Sequence, residues 1–407
     1  MRILINTINY HPELTGVGKY SGEMAEWLSK KGHDVRVITA PPYYPEWSIG
    51  KGYSSFRYRK EIINGVRVLR CPLYVPLKLS GLKRIIHLAS FAISSLPVLI
   101  SQMFWRPNVI MTIEPPLLSA PFVWLISRIS KTKCWLHIQD FEIDAAFDLG
   151  ILNSKWLRSF VLYIERWLMR NFDIVSTISN QMIDKLNKKG VLQSKQVLFP
   201  NWVDNDQIFP LQSASPFRHE LDIKDTTKVF LYSGNIGEKQ GLESIIEAAR
   251  SIAANDNILF VMCGSGSALS RLKKSAYGLN NVMWLPLQPV ERLNDLLSLA
   301  DVHLLPQRPD AADLVMPSKL TGMLASGKPI LATVDKGTQI ATVLENTGVI
   351  VPPSNVDRLV HGVIDLSNND DLRAELGKNA RLYAIENLSI DVILERFNQA
   401  LHEMNKN

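Results

Sequence analysis

KVFLYSGNIGEKQG, at residues 228–241, has the pattern of a strand that leads through a glycine-rich loop into a helix. Its apolar part, Val229 to Ser233, has the length and composition of a buried strand, and Leu242 to Ala253 has the pattern of a helix. A strand that passes through glycines into a helix leaves backbone N–H groups free to bind a phosphate. The candidates for a diphosphate site here are Gly234, Asn235, Gly237 and Lys239. A plain turn with a solvated lysine is the alternative.

The N-terminal stretch has the same arrangement. A strand is predicted from Ile3 to Ile8, and the loop HPELTGVGKY leads from it into a helix. Gly16 and Gly18 in this loop are candidates for close approach to a ligand. Ser21 stands where the dinucleotide-binding motif G-x-G-x-x-G needs its third glycine, so that class of site is not predicted. A tight turn explains the two glycines equally well.

Strand-like and helix-like runs alternate along the whole chain, which predicts parallel sheets covered by helices. The segment FPNWVDNDQIFP at 199–210 has the prolines and polar residues of a linker. We therefore predict an α/β protein with two doubly wound, Rossmann-like domains, 1–200 and 201–385, facing a cleft, and a C-terminal helix at 386–407 that packs back on the first domain. Ligands of such sheets bind outside the carboxyl ends of the strands.

Two further segments place polar residues at such positions. The strand KCWLHI ends at His137 and Ile138, and Asp140 follows. His137 is a candidate for hydrogen bonding a reacting sugar or its phosphate, and Asp140 is a candidate for accepting a hydroxyl proton. A buried strand-end histidine and a helix-capping aspartate are the alternative. In MPSKLTGMLASGKPI, the candidates at a predicted helix start are Pro317, Ser318 and Lys319. An ordinary helix that ends at Gly327 explains that segment equally well.

Composition limits the class of protein. The chain has 407 residues and only three cysteines, none in C-x-x-C spacing, which disfavours a disulfide framework or a structural zinc site. Asp204 and Asp206 form a D-x-D pattern, but it lies in the predicted linker, and we expect no metal requirement. Residues 1–205 carry 26 basic and 15 acidic side chains, net +11, and residues 206–407 carry 19 and 24, net −5. The two halves therefore suit different partners, and no nucleic-acid recognition module is evident.

The segment from Ile85 to Trp105 is long enough to span a bilayer and has no charged side chain apart from the titratable His87. Four serines, Gln102 and the central Pro97 make its apolarity moderate, so a buried or membrane-surface helix suits it as well. Basic residues surround the segment and recur between residues 131 and 170, where they suit anionic lipid. A solvated basic surface is the alternative. We expect a cytoplasmic protein, peripheral on the inner face of the plasma membrane.

Five motifs together resemble those of the retaining GT-B glycosyltransferases often called family 4: TGVGKY, LHIQDFE, FPNWVD, YSGNIGEKQG and MPSKLTGMLASGKPI. They occur in the order that this family uses, and the resemblance covers essentially the whole chain. Within the family, the chain is most similar to the colanic acid (exopolysaccharide) biosynthesis glycosyltransferases, which are similar to fucosyltransferases using a GDP-sugar and a lipid-linked acceptor. The resemblance implies a nucleotide-sugar donor and a polyprenyl-diphosphate-linked saccharide acceptor.

The resemblance also implies roles for single residues. Gly18 matches the glycine that contacts the donor diphosphate, His137 the histidine near the donor sugar, and Lys239 the diphosphate lysine. The chain departs from the family pattern in two features, at three positions. Asn235 stands where an arginine is common, and Leu314 and Gly322 stand where a pair of glutamates is common, so the grip on the ribose is missing, and Asp313 or backbone groups are candidates to replace it.

A nucleotide-sugar 2-epimerase with the same fold and a non-catalytic component of a polysaccharide assembly are the alternative functions. The apolar stretch disfavours the epimerase, which needs no lipid acceptor.

Overall fold

The computed structural model describes residues 1–13, 16–77, 80–141, 155–308 and 318–406, with only the backbone of Lys155, Leu157 and Lys239. The chain divides into two compact units. Unit 1 comprises Met1–Pro200 and Leu394–Asn407, and unit 2 comprises Asn201–Ile393. The chain returns to unit 1 at Leu394, not at the predicted residue 386, because Ser389 still forms a β-bridge with Val203 of unit 2.

Within its described residues, unit 1 contains an eight-stranded sheet with the order β3-β4-β2-β1-β5-β6-β7-β8. β3 is antiparallel to β4, and the other neighbouring pairs are parallel. Its strands are β1 (Arg2–Asn6), β2 (Asp34–Thr39), β3 (Arg59–Ile63), β4 (Val66–Arg70), β5 (Val109–Glu114), β6 (Lys133–Ile138), β7 (Ile174–Thr177) and β8 (Gln196–Leu198).

Unit 2 contains a six-stranded sheet, parallel throughout, with the order β11-β10-β9-β12-β13-β14 over the part of the chain that is described. Its strands are β9 (Lys228–Ser233), β10 (Ile258–Cys263), β11 (Val282–Leu285), β12 (Val302–Pro306), β13 (Ile330–Thr333) and β14 (Gly348–Val351). Strands such as β10 and β12 are buried along almost their whole length because helices cover both faces of a parallel sheet.

Helices connect the strands of both sheets. In unit 1 the described helices are α1 (Gly16–Lys30), α2 (Gly81–Gln102), α3 (Ala120–Ser130), α4 (Lys155–Asn171) and α5 (Asn180–Lys189). In unit 2 they are α6 (Pro216–Glu220), α7 (Glu243–Ser251), α8 (Leu269–Ser275), α9 (Leu293–Leu299), α10 (Ser318–Ala325), α11 (Gln339–Leu344), α12 (Val356–Asn368) and α13 (Asp370–Asn387). The last helix, α14 (Ile390–Lys406), begins in unit 2 and continues into unit 1.

The apolar segment at 85–105 lies mostly in α2, the crossover helix between β4 and β5. It is the one described helix whose length and composition would allow it to cross a membrane. One face of it, which includes Phe91 and Leu99, is fully buried, and α2 also contacts β2 and α3. This packing is that of a helix covering a sheet. The opposite face leaves large apolar side chains exposed, among them Leu82, Ile86, Ile93 and Ile100.

Candidate functional site

The strand order of unit 2 changes direction between β9 and β12. In doubly wound sheets this switch point leaves a crevice at the carboxyl ends of the two strands, because the loops that follow them turn to opposite faces. Here the loop after β9 contains the sequence GNIGEKQG, and Gln307 and Arg308 follow β12. The predicted phosphate loop therefore lies at the position where this fold binds ligands.

Close backbone contact joins the loops after β9 and β10. Gly234 N–H donates to Cys263 O at 3.0 Å, and Ile236 N–H donates to Ser265 O at 2.8 Å. A Cβ on Gly264 would lie 1.9 Å from Gly234 O, and a Cβ on Gly266 would lie 2.3 Å from Ile236 O. Both glycines have φ between +140° and +160°, a region almost closed to other residues. The phosphate loop is therefore held by backbone that tolerates no side chain.

Lys319, in the first turn of α10, brings a cation to this loop. Its Cδ is 3.6 Å from the position of a Cβ on Gly234, its Nζ lies 4.4 Å from the centre of the Tyr232 ring, and Nζ donates to Gln240 Oε1 at 3.5 Å. The Tyr232 hydroxyl in turn donates to Asn235 O at 2.6 Å. Burial lowers the pKa of the Lys319 ammonium to about 7. An anion at the loop would restore the charge on this lysine.

Acidic residues near the loop are paired with arginine. Arg271 donates to both Glu238 and Glu243, each at 2.5 Å. Burial opposes ionisation of Glu243, but the hydrogen bonds from Arg271 and from its own backbone N–H, together with the charges of Arg271 and Arg308, outweigh burial and lower the pKa of that carboxyl. Arg308 donates to Glu238 O at 3.4 Å, and it lines an open pocket of about 490 Å³ beside Gly241. The crevice can thus attract an anion although unit 2 is acidic overall.

In unit 1, His137 lies at the carboxyl end of β6 and is 3 % exposed. Its Nδ1 lies 2.9 Å from Ser176 Oγ, its Nε2 lies 2.9 Å from Gln139 Nε2, and its ring packs against Phe199. Burial lowers the pKa of His137 to about 3, so the imidazole is neutral at pH 7. Both ring nitrogens are engaged within the unit, which is the arrangement of a buried strand-end histidine. Asp140, three residues on, is exposed.

The loop after β1 is organised by a residue that the sequence pattern did not reveal, Glu13. This buried carboxylate accepts N–H groups of Tyr43 and Tyr44 at 2.8 and 2.9 Å through Oε1, and Asn9 Nδ2 at 2.8 Å through Oε2. Burial raises the pKa of the Glu13 carboxyl, and this effect is larger than the opposing effect of these hydrogen bonds. A Cβ on Gly18 would lie 2.7 Å from Glu13 Cβ, so this glycine lets α1 approach the carboxylate.

The structure thus brings together Gly234, Asn235, Gly237 and Lys319 in unit 2, with the exposed Ser318 beside Lys319. Pro317, Asp313 and the Lys239 side chain lie outside the described residues. Gly16 and Gly18 begin α1, after the loop that follows β1, and His137 lies at the end of β6 with Asp140 just beyond it. β1 and β6 flank β5, so these two strands are about 10 Å apart at strand spacing.

Sequence reasoning missed Gly264, Gly266 and Tyr232 at this site. The signal for the two glycines was the G-x-G directly after the predicted strand that ends at Cys263. Gly322, at a position where the family resemblance places a glutamate, lies beside Leu297, whose Cδ1 would be 3.3 Å from a Cβ there. Within the described ranges, no group of three His, Cys, Asp or Glu side chains is arranged to hold a metal ion.

Two models of known protein families match this chain, one in each half. Residues 15–202 match the model "Glycosyl transferase 4-like domain", and residues 214–383 match "Glycosyl transferases group 1". The putative colanic acid biosynthesis glycosyl transferase WcaI of Escherichia coli K12 is 42% identical over 407 residues, with 98% of each chain covered.

Solved structures with the same fold include two whose sequences are more distant. The sucrose-phosphate synthase of Thermosynechococcus elongatus has a TM-score of 0.77 at 16% identity, with 99% of this chain and 98% of that chain covered. Anabaena HepE in complex with UDP and glucose has a TM-score of 0.70 at 13% identity, with 99% and 100% covered. At these identities the likeness shows the fold: two Rossmann-like domains with parallel sheets.

Proposed function

Because this chain belongs to the group 1 glycosyltransferases and has the GT-B fold, we propose that it transfers a hexose from a nucleotide-sugar donor to a polyprenyl-diphosphate-linked saccharide. The observation that carries the donor half of this proposal is the loop at the switch point of unit 2, where glycine backbone and Lys319 converge. The pathway we propose is bacterial exopolysaccharide biosynthesis of the colanic acid type, on the basis of the relative from Escherichia coli.

In the proposed reaction, negative charge develops on the diphosphate of the donor. An acceptor hydroxyl attacks the anomeric carbon on the face from which the diphosphate departs, the bond from that carbon to the phosphate oxygen breaks, and the electron pair stays on the diphosphate. Backbone N–H groups of the loop after Gly234 and the Lys319 ammonium stabilise this charge, and a side chain such as Asp140 accepts the hydroxyl proton. Lys239 is a second cation proposed for the diphosphate. We propose retention of configuration, as in the family that the motifs resemble.

Fucose from GDP-fucose is the donor that we propose, on the basis of the motif resemblance alone. Asn235 in place of arginine and Gly322 in place of glutamate remove two groups that the family commonly uses for the donor. We propose that His137 contacts the donor sugar, which would replace Gln139 as the partner of His137 Nε2.

A donor screen tests the proposal. Purified protein is incubated with GDP-, UDP- and ADP-sugars and a lipid extract from exopolysaccharide-producing cells, and products are identified by mass spectrometry. We expect one donor, GDP-fucose, to add one sugar to a polyprenyl-linked saccharide. Conversion of the donor sugar without any lipid product would favour the 2-epimerase, and no turnover with any donor would favour a non-catalytic component.

The proposal places unit 1 at the membrane surface, and exposed aromatic residues support this. α3 contacts both α2 and α4. On α4 the exposed aromatic residues Trp156, Phe160, Tyr163 and Trp167 recur at helical spacing. Arg166 and Arg170 on the same helix are exposed as well. Tryptophan and tyrosine beside basic residues are typical of helices that lie in the membrane interface.

Removing two of these aromatic side chains tests the membrane contact. We expect the double variant Trp156→Ser, Tyr163→Ser to bind anionic vesicles about 10- to 100-fold more weakly, since each side chain buries apolar area worth roughly 1 kcal/mol or more at a lipid surface. The two side chains are 74% and 65% exposed, so folding should be unchanged. Vesicle co-sedimentation measures the effect, and Tyr277→Ser, 91% exposed on unit 2, is the control. Equal binding by all three proteins would contradict the assignment.

Donor binding should also depend on pH through Lys319. Its pKa of about 7 in the ligand-free protein means that the ammonium loses its proton as pH rises above 7. A bound diphosphate favours the charged form and raises that pKa, so binding at pH 8 takes up close to one proton, and affinity falls by up to tenfold per pH unit above 7. Titration calorimetry in two buffers of different ionisation enthalpy measures the uptake. Lys319→Met should abolish it, and the same uptake in both proteins would exclude Lys319 as its source.

A further inference from the structure

We propose that a groove in unit 1 binds the isoprenoid chain of the acceptor. The groove lies between α2 and two loops, residues 47–56 and 72–77, and this inference rests on the lipid-linked acceptor of the proposed function. Its volume is about 700 Å³, within the range of sites that enclose small ligands. The apolar side chains that line it are Trp47, Ile49, Phe56, Leu73, Val75 and Leu77.

Two polar side chains of the groove wall, Ser90 and Ser94 on α2, are already bonded within unit 1. Ser90 Oγ accepts Tyr74 N–H at 3.0 Å and donates to His87 O at 2.7 Å. Ser94 Oγ donates to Pro72 O at 2.6 Å. These bonds fix the 72–77 loop to α2 and use the donor hydrogens of the two hydroxyls. The wall therefore offers a ligand mainly apolar contact, which selects a hydrocarbon chain over a saccharide.

The groove opens toward the exposed apolar face of α2. Ile86 and Ile93 lie four residues before and three residues after Ser90, so they border it on the helix surface. Phe56 and Leu77 on the facing loops are 88% and 102% exposed. Exposed apolar side chains therefore lie both on the groove loops and on the adjoining α2 face, which gives a chain a path from a lipid surface into the groove.

Charge favours an isoprenoid with an anionic head. Lys83 lines the groove and is exposed, and Arg84 follows it on α2. No carboxylate within the described ranges forms an ion pair with Lys83. A polyprenyl diphosphate combines a long run of apolar isoprene units with a strongly anionic group, and this matches an apolar groove with a cation in its wall.

A photoreactive probe tests the groove without any need for turnover. The probe is an isoprenyl diphosphate with a diazirine in its chain, added to the full protein in vesicles and mapped by peptide mass spectrometry. We expect labelling in residues 47–56 and 72–94, blocked by excess unmodified isoprenyl diphosphate and not by phosphatidylglycerol. Labelling elsewhere, or blocking by phosphatidylglycerol alone, would overturn the proposal, the second by assigning the groove to a phospholipid acyl chain.

Kinetics separate this proposal from the proposed function. We expect Phe56→Ser with Leu77→Ser to raise KM about tenfold or more for the polyprenyl-linked acceptor and to leave KM for a short-chain acceptor unchanged, with kcat kept. Phe104→Ser, 89% exposed in unit 1 outside the groove, is the control and should match the wild type. If the double variant transfers sugar with an unchanged KM for the polyprenyl-linked acceptor, the groove proposal is refuted and the proposed function still holds. If the wild-type protein transfers no sugar, the proposed function fails, and probe labelling still decides the groove.

Discussion

Lys319→Met is expected to lower kcat for sugar transfer by about 10²- to 10³-fold, the cost of removing one preorganised group that stabilises a developing negative charge. The ammonium lies over Tyr232 and beside Gly234, where the proposed diphosphate takes up charge as the sugar departs. Methionine keeps much of the side-chain volume, so the effect should be chemical and not one of packing. Initial rates at saturating donor and acceptor measure it.

The matched control is Lys274→Met, because Lys274 is an exposed lysine on α8 of the same unit. It should keep the wild-type rate. Lys319→Arg retains a charge and should recover part of the loss, although its planar head does not reproduce a point charge. A wild-type rate for Lys319→Met would remove this lysine from the mechanism.

Gly264→Ala should destabilise unit 2 by about 3 kcal/mol and abolish donor binding. The added Cβ would lie 1.9 Å from the backbone oxygen of Gly234, and φ is +145° at this position. The loop after β9 has to move to relieve the clash, and overpacking together with a backbone conformation reserved for glycine costs about this much. Urea unfolding of the full chain measures the stability, and calorimetry with nucleoside diphosphate measures binding.

Gly278→Ala is the control that separates the steric clash of an added Cβ from the cost of a positive φ. Gly278 also has a positive φ, +81°, but a Cβ there would meet nothing within 4 Å. We expect it to cost about 1 kcal/mol and to leave nucleotide binding intact. Similar losses of binding in both variants would show that contact between Gly264 and Gly234 does not shape the site.

The two sheets could be predicted largely because their strands are continuous apolar runs. β10 and β11, for example, coincide with the apolar runs ILFVMC at Ile258–Cys263 and VMWL at Val282–Leu285. β3 was missed because its sequence, RKEII, is mostly polar. Its signal was the Asn64–Gly65 pair that follows, in which both residues have positive φ, as in a two-residue hairpin turn. α12 was also missed, although Asn355 caps it by accepting Arg358 N–H.

The site was harder to predict because its contacts join distant parts of the chain. The sequence shows Gly234 and Lys319 as separate motifs, and only the fold brings them to one crevice. The burial of His137 depends on Ser176 and Phe199, which belong to other segments. Glu13 has no local pattern at all, since its hydrogen-bond donors include the backbone of Tyr43 and Tyr44, some thirty residues further on.

The most direct test of the account is the stoichiometry of the complete reaction. Purified protein, GDP-fucose and a defined polyprenyl-diphosphate-linked saccharide are mixed, and released GDP and the lipid-linked product are quantified together. We predict one GDP for each acceptor that gains a fucose, with both products formed about 10²- to 10³-fold more slowly by Lys319→Met. GDP release without a glycosylated lipid, or a fucosylated lipid formed at the same rate by that variant, would contradict the account.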